Sequence, residues 1–196
     1  VVNSVYAINN FLSTQWDGAN NEIKLVTTVV EPRGKKEDFE KITDLLGSFS
    51  TDFSNSAAGR AQNVKNGCAK INGTLLYPGE EFSVYKTVSP FNEENGYKLA
   101  GSYSNGTTVE TFGGGICQVS TTLYNAIIRA ELEVVMRYNH SMIVTYVDRS
   151  ADAAIAGTSK DLKFTNNTEY PIYIEGYTAN KNVYFNIYGC ETRDTV

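Results

Sequence analysis

Histidine is almost absent from this chain. Its 196 residues include one, His140, with three cysteines, four prolines and one tryptophan. A lone histidine excludes the common His/Cys zinc clusters, and no two cysteines stand at C-x-x-C spacing. No metal site and no organic cofactor are expected. There is no Lys/Arg-rich run, and 17 basic against 22 acidic residues leave a net charge of −5. A nucleic-acid footprint and polybasic attachment to an anionic membrane are therefore not expected. No apolar run is long enough to span a bilayer, and no signal peptide opens the chain. It begins at Val1 rather than methionine, so a piece of a longer protein is expected, and the missing targeting segment says nothing about compartment.

What is there suffices for a core. A hydrophobic content of 41% over this length fits one domain with an N-terminal appendage. Thirteen tyrosines, many asparagines and few charges suit an exported protein. Residues 1–49 read as a linker or the end of an upstream domain: a helix around Val5–Leu12, a strand over Ile23–Val30, and a helix over Lys35–Leu46. Residues 50–190 read as the main domain. Ser56–Asn72 has helical periodicity, Glu81–Val88 and Thr107–Phe112 are extended, and Val134–Val147 is a β-branched and tyrosine-rich strand. Asp161–Thr165 adds a strand, and Tyr170–Thr178 with Val183–Tyr188 forms a hairpin. Helices and strands mix without regular alternation, which predicts an α+β fold with mostly antiparallel sheet.

The chemistry concentrates at Gly113-Gly114-Gly115-Ile116-Cys117. From Cys117 the stripe Val119, Leu123, Ala126, Ile127 and Ala130 predicts a helix to about Glu131, with the cysteine at its start. A helix N-terminus favours a thiolate through its unpaired amides and partial positive charge. Three glycines leave the thiol open, and the nearby amides, with Gly114, Gly115, Ile116 and Ser120, are candidate substrate or oxyanion contacts. That helix carries the chain about 21 Å away, and an extended return from Glu133 to His140 covers about 23 Å, so an antiparallel return brings the imidazole back to the sulfur. His140 is the candidate acid–base partner in acyl transfer. A carboxylate would orient it, with Asp152 first in order and Asp148 second. The bland alternative is a buried structural cysteine, a surface histidine and loop-forming aspartates. Cys68 and Cys190 read as structural, either disulfide-bonded or as two buried thiols.

The string Ser89-Pro90-Phe91-Asn92-Glu93-Glu94-Asn95-Gly96-Tyr97-Lys98 and the block Gly113-Gly114-Gly115-Ile116-Cys117-Gln118-Val119-Ser120-Thr121-Thr122-Leu123-Tyr124-Asn125-Ala126 resemble the VanW family. So do Asn72-Gly73, Pro78-Gly79-Glu80-Glu81-Phe82-Ser83 and Arg137-Tyr138-Asn139-His140-Ser141. The resemblance runs from about Ser50 to Gly189. It implies a bacterial cell-wall protein, extracellular and Gram-positive in setting, with residues 1–49 leading from a peptidoglycan-binding domain and the full-length protein open to membrane anchoring. It further implies an L,D-transpeptidase unrelated in sequence to the YkuD type, acting on peptidoglycan stem peptides, with Cys117 as nucleophile and His140 as partner. Asp152 matches an acidic family position, but the usual Pro-Pro-Gly-Arg lead-in is replaced by Asp148-Arg149-Ser150-Ala151. Hydrolysis of the same thioester and a non-enzymatic wall- or glycopeptide-binding module are the competing expectations.

Overall fold

The computed structural model describes residues 2–19, 22–23, 34–104 and 107–194. They fall into two compact units, Val1–Lys35 and Lys36–Val196. In the first, α1 (Val2–Thr14) leaves Val5, Tyr6 and Leu12 exposed. The strand expected over Ile23–Val30 lies, beyond Ile23, outside the described residues.

The second unit begins with α2 (Lys36–Phe39) and β1 (Asp44–Asp52). It continues through α3 (Ala58–Ile71), β2 (Thr74–Leu76), β3 (Glu81–Ser83) and α4 (Val84–Val88). A hairpin of β4 (Leu99–Ser104) and β5 (Thr107–Phe112) precedes α5 (Ile116–Arg129). Then come β6 (Glu133–Met136), β7 (Lys163–Thr165), β8 (Ile172–Ala179) and β9 (Asn182–Gly189). The larger sheet has the order β1-β9-β8-β2 and the smaller β3-β7-β6, and all strand pairs in both are antiparallel. The fold is α+β.

Hydrophobic periodicity explains the packing. Ile172 and Ile174 of β8 and Val183, Phe185 and Ile187 of β9 alternate inward and are fully buried. α5 lies on β1 and β9, with Val119, Leu123, Ala126 and Ile127 fully buried between that sheet and its surroundings. Each such Val, Leu or Ile side chain contributes about 1.5–3 kcal/mol. Gly47 permits the contact: a β-carbon there would run into the Ala126 carbonyl and the Ala130 amide.

Three elements differ from expectation. The helix expected over Lys35–Leu46 is reduced to Lys36–Phe39, because β9 recruits Asp44–Asp52 as an edge strand. Phe39 is exposed, while Leu46 enters the sheet core. β1 thus spans positions 49 and 50, and residues 44–49 share a sheet with β9. The strand expected over Glu81–Val88 stops at Ser83, whose hydroxyl accepts from the Lys86 amide (3.1 Å) and caps α4. The strand expected over Val134–Val147 stops at Met136, because its partner β7 is only three residues long. Beyond it no ladder remains, and the chain turns toward α5.

Candidate active site

Two of the three glycines determine how α5 begins. Gly115 adopts φ 108°, a left-handed conformation that side-chain-bearing residues resist, and serves as its N-cap. Gly114 is pressed against β4, with room for no β-carbon before the carbonyls of Ala100 and Gly101. Asn63 of α3 holds the same turn by donating to the Gly114 carbonyl (2.9 Å). Cys117 follows as the second residue of α5 and is half-buried. Behind it, the Gln118 side-chain nitrogen donates to the Thr51 hydroxyl (3.0 Å) and the Asp52 carbonyl (2.8 Å), while its Oε1 accepts from Arg60 (2.8 Å). The start of the helix is thereby tied to the end of β1 and to α3.

A polar stripe on α5 holds the segment that carries the carboxylate. Cys117, Thr121 and Asn125 stand four residues apart. The Asn125 amide donates to the Ala151 carbonyl (2.7 Å), and the Thr121 hydroxyl accepts from the Ala153 amide (2.9 Å). Cys117 Sγ accepts from the Ile155 amide (3.4 Å) and faces the Ile155 carbonyl (3.6 Å). Four helical residues advance about 6 Å and two extended residues about 6.6 Å, so the periods match and residues 151–155 lie antiparallel along the helix.

Asp152 sits between two of these rungs. Its Oδ2 accepts from the His140 amide (2.7 Å) and lies 2.6 Å from His140 Nδ1. Arg137 donates to Asp152 Oδ1 (3.2 Å), to the Asp152 carbonyl (2.6 Å) and to the Ser150 carbonyl (2.7 Å). The side chains of His140 and Asp152 are each 9% exposed, so the pair acts largely out of water. Burial opposes the imidazolium, but hydrogen bonding and charge from Cys117, then from Asp152, outweigh it and raise the His140 pKa. Burial likewise opposes the Asp152 carboxylate, but the amide and ring of His140 prevail and lower its pKa. With Nδ1 committed to the carboxylate, Nε2 is the nitrogen left for the thiol. His140 thus has the Asp152 carboxylate bonded to one ring nitrogen and the Cys117 thiol near enough to raise its pKa, an arrangement able to generate a nucleophile and shuttle its proton.

The other sequence candidates divide. Asp148 is exposed, and Asp152 occupies the orienting position instead. Ser120 is fully buried, and its hydroxyl has no partner among the described residues, so it faces no substrate. The Ile116 amide is taken by the Gly113 carbonyl (3.1 Å). The amides of Gly115 and Cys117 have no acceptor among the described residues. Cys68, Cys117 and Cys190 are all free thiols. Burial pushes Cys68 up to about 12, which leaves it inert. Among the described residues no cluster of three or more His, Cys, Asp or Glu could hold a metal.

Sequence reasoning missed Arg137, Thr121, Asn125 and Tyr146 as parts of this site. The spacing of Cys117, Thr121 and Asn125 along one helix was the available signal for the stripe. Tyr146 has no such signal, because it arrives on an irregular loop. Its ring lies 6.0 Å from the Arg60 guanidinium. Burial first, then the charge of Cys117, pushes its phenol well above the ordinary value, against the pull of Thr121 and Arg60.

Comparison with known proteins places this geometry. The model of the family described as "VanW like protein" matches residues 59–188, a stretch containing Cys117, His140 and Asp152. The uncharacterized protein YoaR of Bacillus subtilis is 34% identical over 149 residues, covering 76% of this chain and 49% of that protein. The vancomycin B-type resistance protein VanW of Enterococcus faecalis is 29% identical over 120 residues, covering 57% of this chain and 43% of that protein. The chain thus spans about half the length of the curated relatives it matches. No solved structure matches. Because the family model takes in most of the folded unit, this chain belongs to the VanW family.

Proposed function

We propose that this chain is the catalytic part of a cysteine-dependent L,D-transpeptidase that forms 3-3 cross-links in peptidoglycan. The observation that carries the reading is the His140–Asp152 pair beside the half-buried Cys117, whose thiol helps raise the His140 pKa. His140 takes the thiol proton through Nε2 while Asp152 holds Nδ1. Cys117 attacks the carbonyl at the L-centre of diaminopimelate in a tetrapeptide stem. The developing oxyanion is met by the amides of Gly115 and Cys117. The C–N bond to D-alanine breaks, and the imidazolium returns its proton to that leaving amine. The thioester is then resolved by the side-chain amine of a second stem. Asp152 and Arg137 act as positioning residues.

The Enterococcus relative is named for vancomycin resistance. A transpeptidase working on tetrapeptide stems fits that context, because such stems lack the terminal D-alanyl-D-alanine. On this reading the chain works outside a Gram-positive cell, facing the wall. Residues 1–49 would then lead in from a wall-binding region, and the whole protein would be held at the membrane or wall by parts beyond this segment.

The test is incubation with disaccharide-tetrapeptide followed by mass spectrometry. A mass increase on Cys117 and 3-3 dimers are expected, and both should vanish in Cys117→Ala. Dimers from the Cys117→Ala protein would overturn the mechanism. Tripeptide alone, even with amine acceptor in excess, would replace it with a hydrolase. An unmodified Cys117 that also ignores thiol electrophiles would leave a binding module.

A further inference from the structure

His140 and Asp152 are the two ends of one loop. Its base is closed firmly. The Ala154 amide donates to the Tyr138 carbonyl (2.7 Å), the His140 amide to Asp152 Oδ2 (2.7 Å), and Arg137 to the carbonyls of Ser150 (2.7 Å) and Asp152 (2.6 Å). Between those ends the chain has neither helix nor strand. No backbone group of residues 141–147 has a hydrogen bond to another backbone group among the described residues. The two arms, residues 139–144 and 148–150, border a cavity of about 420 Å³ that Cys117 does not line. A core would fill such a space, so the arms can shift without breaking close packing.

Tyr146 is the midpoint of the loop, six residues from His140 and six from Asp152. It does not line the cavity, and its ring lies 6.0 Å from the Arg60 guanidinium of α3. Arg60 borders the start of α5. A β-carbon on Gly115 would stand 2.9 Å from its Cγ, and its Nη1 donates to Gln118 Oε1 (2.8 Å). Residues 151–155 run along another flank of α5, bonded to Cys117, Thr121 and Asn125. A loop that leaves that flank and reaches Arg60 crosses the first turn of α5, where the sulfur is. The phenol feels the charge of Cys117 and the hydroxyl of Thr121, as a side chain above the sulfur would.

We propose that residues 141–150 are a lid over Cys117, latched by Tyr146 against Arg60, and that an acyl donor reaches the sulfur when the latch opens. The hinges are the bonded ends, so His140 and Asp152 stay in place while the span between them moves. A fixed strap would be hydrogen-bonded along its length and packed from beneath; this one is held at its middle by a ring against a guanidinium. Losing a cation–π contact of that kind shifts a closed–open balance by roughly two- to thirtyfold. A closed lid also keeps bulk water from an acyl group on the sulfur. The lid goes beyond the transpeptidase reading and does not rest on it, because any bulky thiol reagent meets the same gate.

The test is alkylation of Cys117 in the intact chain, followed on its own peptide by mass spectrometry. The reagents are N-ethylmaleimide and a maleimide carrying a long polyethylene glycol chain. A change in thiolate fraction alters both rates alike, so the ratio of bulky to small reports access alone. Tyr146→Ala and Arg60→Met should each raise that ratio about tenfold, and Tyr146→Phe, which keeps the ring, should leave it near the wild-type value. In the wild-type chain the amides of residues 142–147 should exchange with deuterium on the order of 100-fold faster than the bonded amides of His140, Ala153 and Ile155. An unchanged ratio in Tyr146→Ala or Arg60→Met, with the fold intact by circular dichroism, overturns the proposal. So does an equal rise in Tyr146→Phe, which would make the hydroxyl rather than the ring the latch. Should Tyr146→Ala fail to fold, the wild-type exchange decides: amides 142–147 as protected as the other three overturn the lid. None of these measurements needs an acyl substrate, so the lid and the transpeptidase reading fail separately.

Discussion

Gly114→Ala tests whether the nucleophile's position is set by the press of the glycine turn on β4. Gly113 and Gly115 have positive φ, whereas Gly114 does not, so alanine is compatible with its backbone and the effect is purely steric. The added β-carbon would stand 2.5 Å from the Ala100 carbonyl oxygen and 2.7 Å from that of Gly101, where ordinary contact begins at 3.4 Å. Both obstacles are backbone atoms that cannot rotate aside, so the turn must move by roughly 0.8 Å. Overpacking of this kind costs about 1–3 kcal/mol of stability. Since Cys117 lies three residues on, a displacement near 1 Å should slow its acylation on the order of 100-fold. Gly79→Ala is the control: its φ is positive (80°), unlike that of Gly114, but no atom lies within 4 Å of the added β-carbon. It should cost about 1 kcal/mol in conformational strain and leave acylation at the wild-type rate. Denaturant midpoints and the mass-spectrometric rate of Cys117 acylation measure both. Wild-type stability and rate in Gly114→Ala, or equal loss of rate in Gly79→Ala, would refute the steric reasoning.

Asp152→Asn should change the pH dependence as well as the rate. The wild-type carboxylate, with its folded pKa lowered, contributes stability above its ordinary value of 3.8 that is lost as pH falls through the lowered value. His140, with its folded pKa raised, contributes stability below its ordinary value of 6.5 that is lost as pH rises through the raised value. The amide variant should lose about 1–3 kcal/mol near neutral pH, because its NH₂ faces Arg137 or His140 as donor to donor. It should also flatten the acid limb of the stability profile and lower the His140 pKa in an NMR titration. Acyl transfer should fall on the order of 10²-fold, less than in Cys117→Ala. An unaltered His140 titration would remove Asp152 from the site. Tyr146→Phe removes a hydroxyl that Thr121 influences, but Thr121 keeps the Ala153 amide, so stability should drop by only about 1 kcal/mol. If the phenol assists at the sulfur, Cys117 acylation slows about tenfold while the Tyr146→Phe chain stays folded by circular dichroism; an unchanged rate restricts it to packing.

Local pattern decided the elements whose burial is periodic along the chain. The stripe Val119, Leu123, Ala126, Ile127 specified α5, and β8 and β9 alternate so regularly that their pairing follows. The cysteine's place at the head of α5 was legible too, because glycines punctuate the chain there. The return of His140 was anticipated by a strand that in fact ends at Met136. What holds the imidazole is Asp152, itself fixed by rungs from Cys117, Thr121 and Asn125 and by Arg137. Those bonds join residues far apart in sequence and run from side chain to backbone, so no hydrophobic period records them. The same holds for the strand that replaced the end of the helix expected over Lys35–Leu46: its register belongs to β9, at the other end of the chain. The sequence by itself determined the helix, the hairpin and the nucleophile's neighbourhood through the free energy of local apolar burial. Only the tertiary structure decided which carboxylate faces the ring and which amides stay free, because those depend on hydrogen bonds satisfied after the chain has closed.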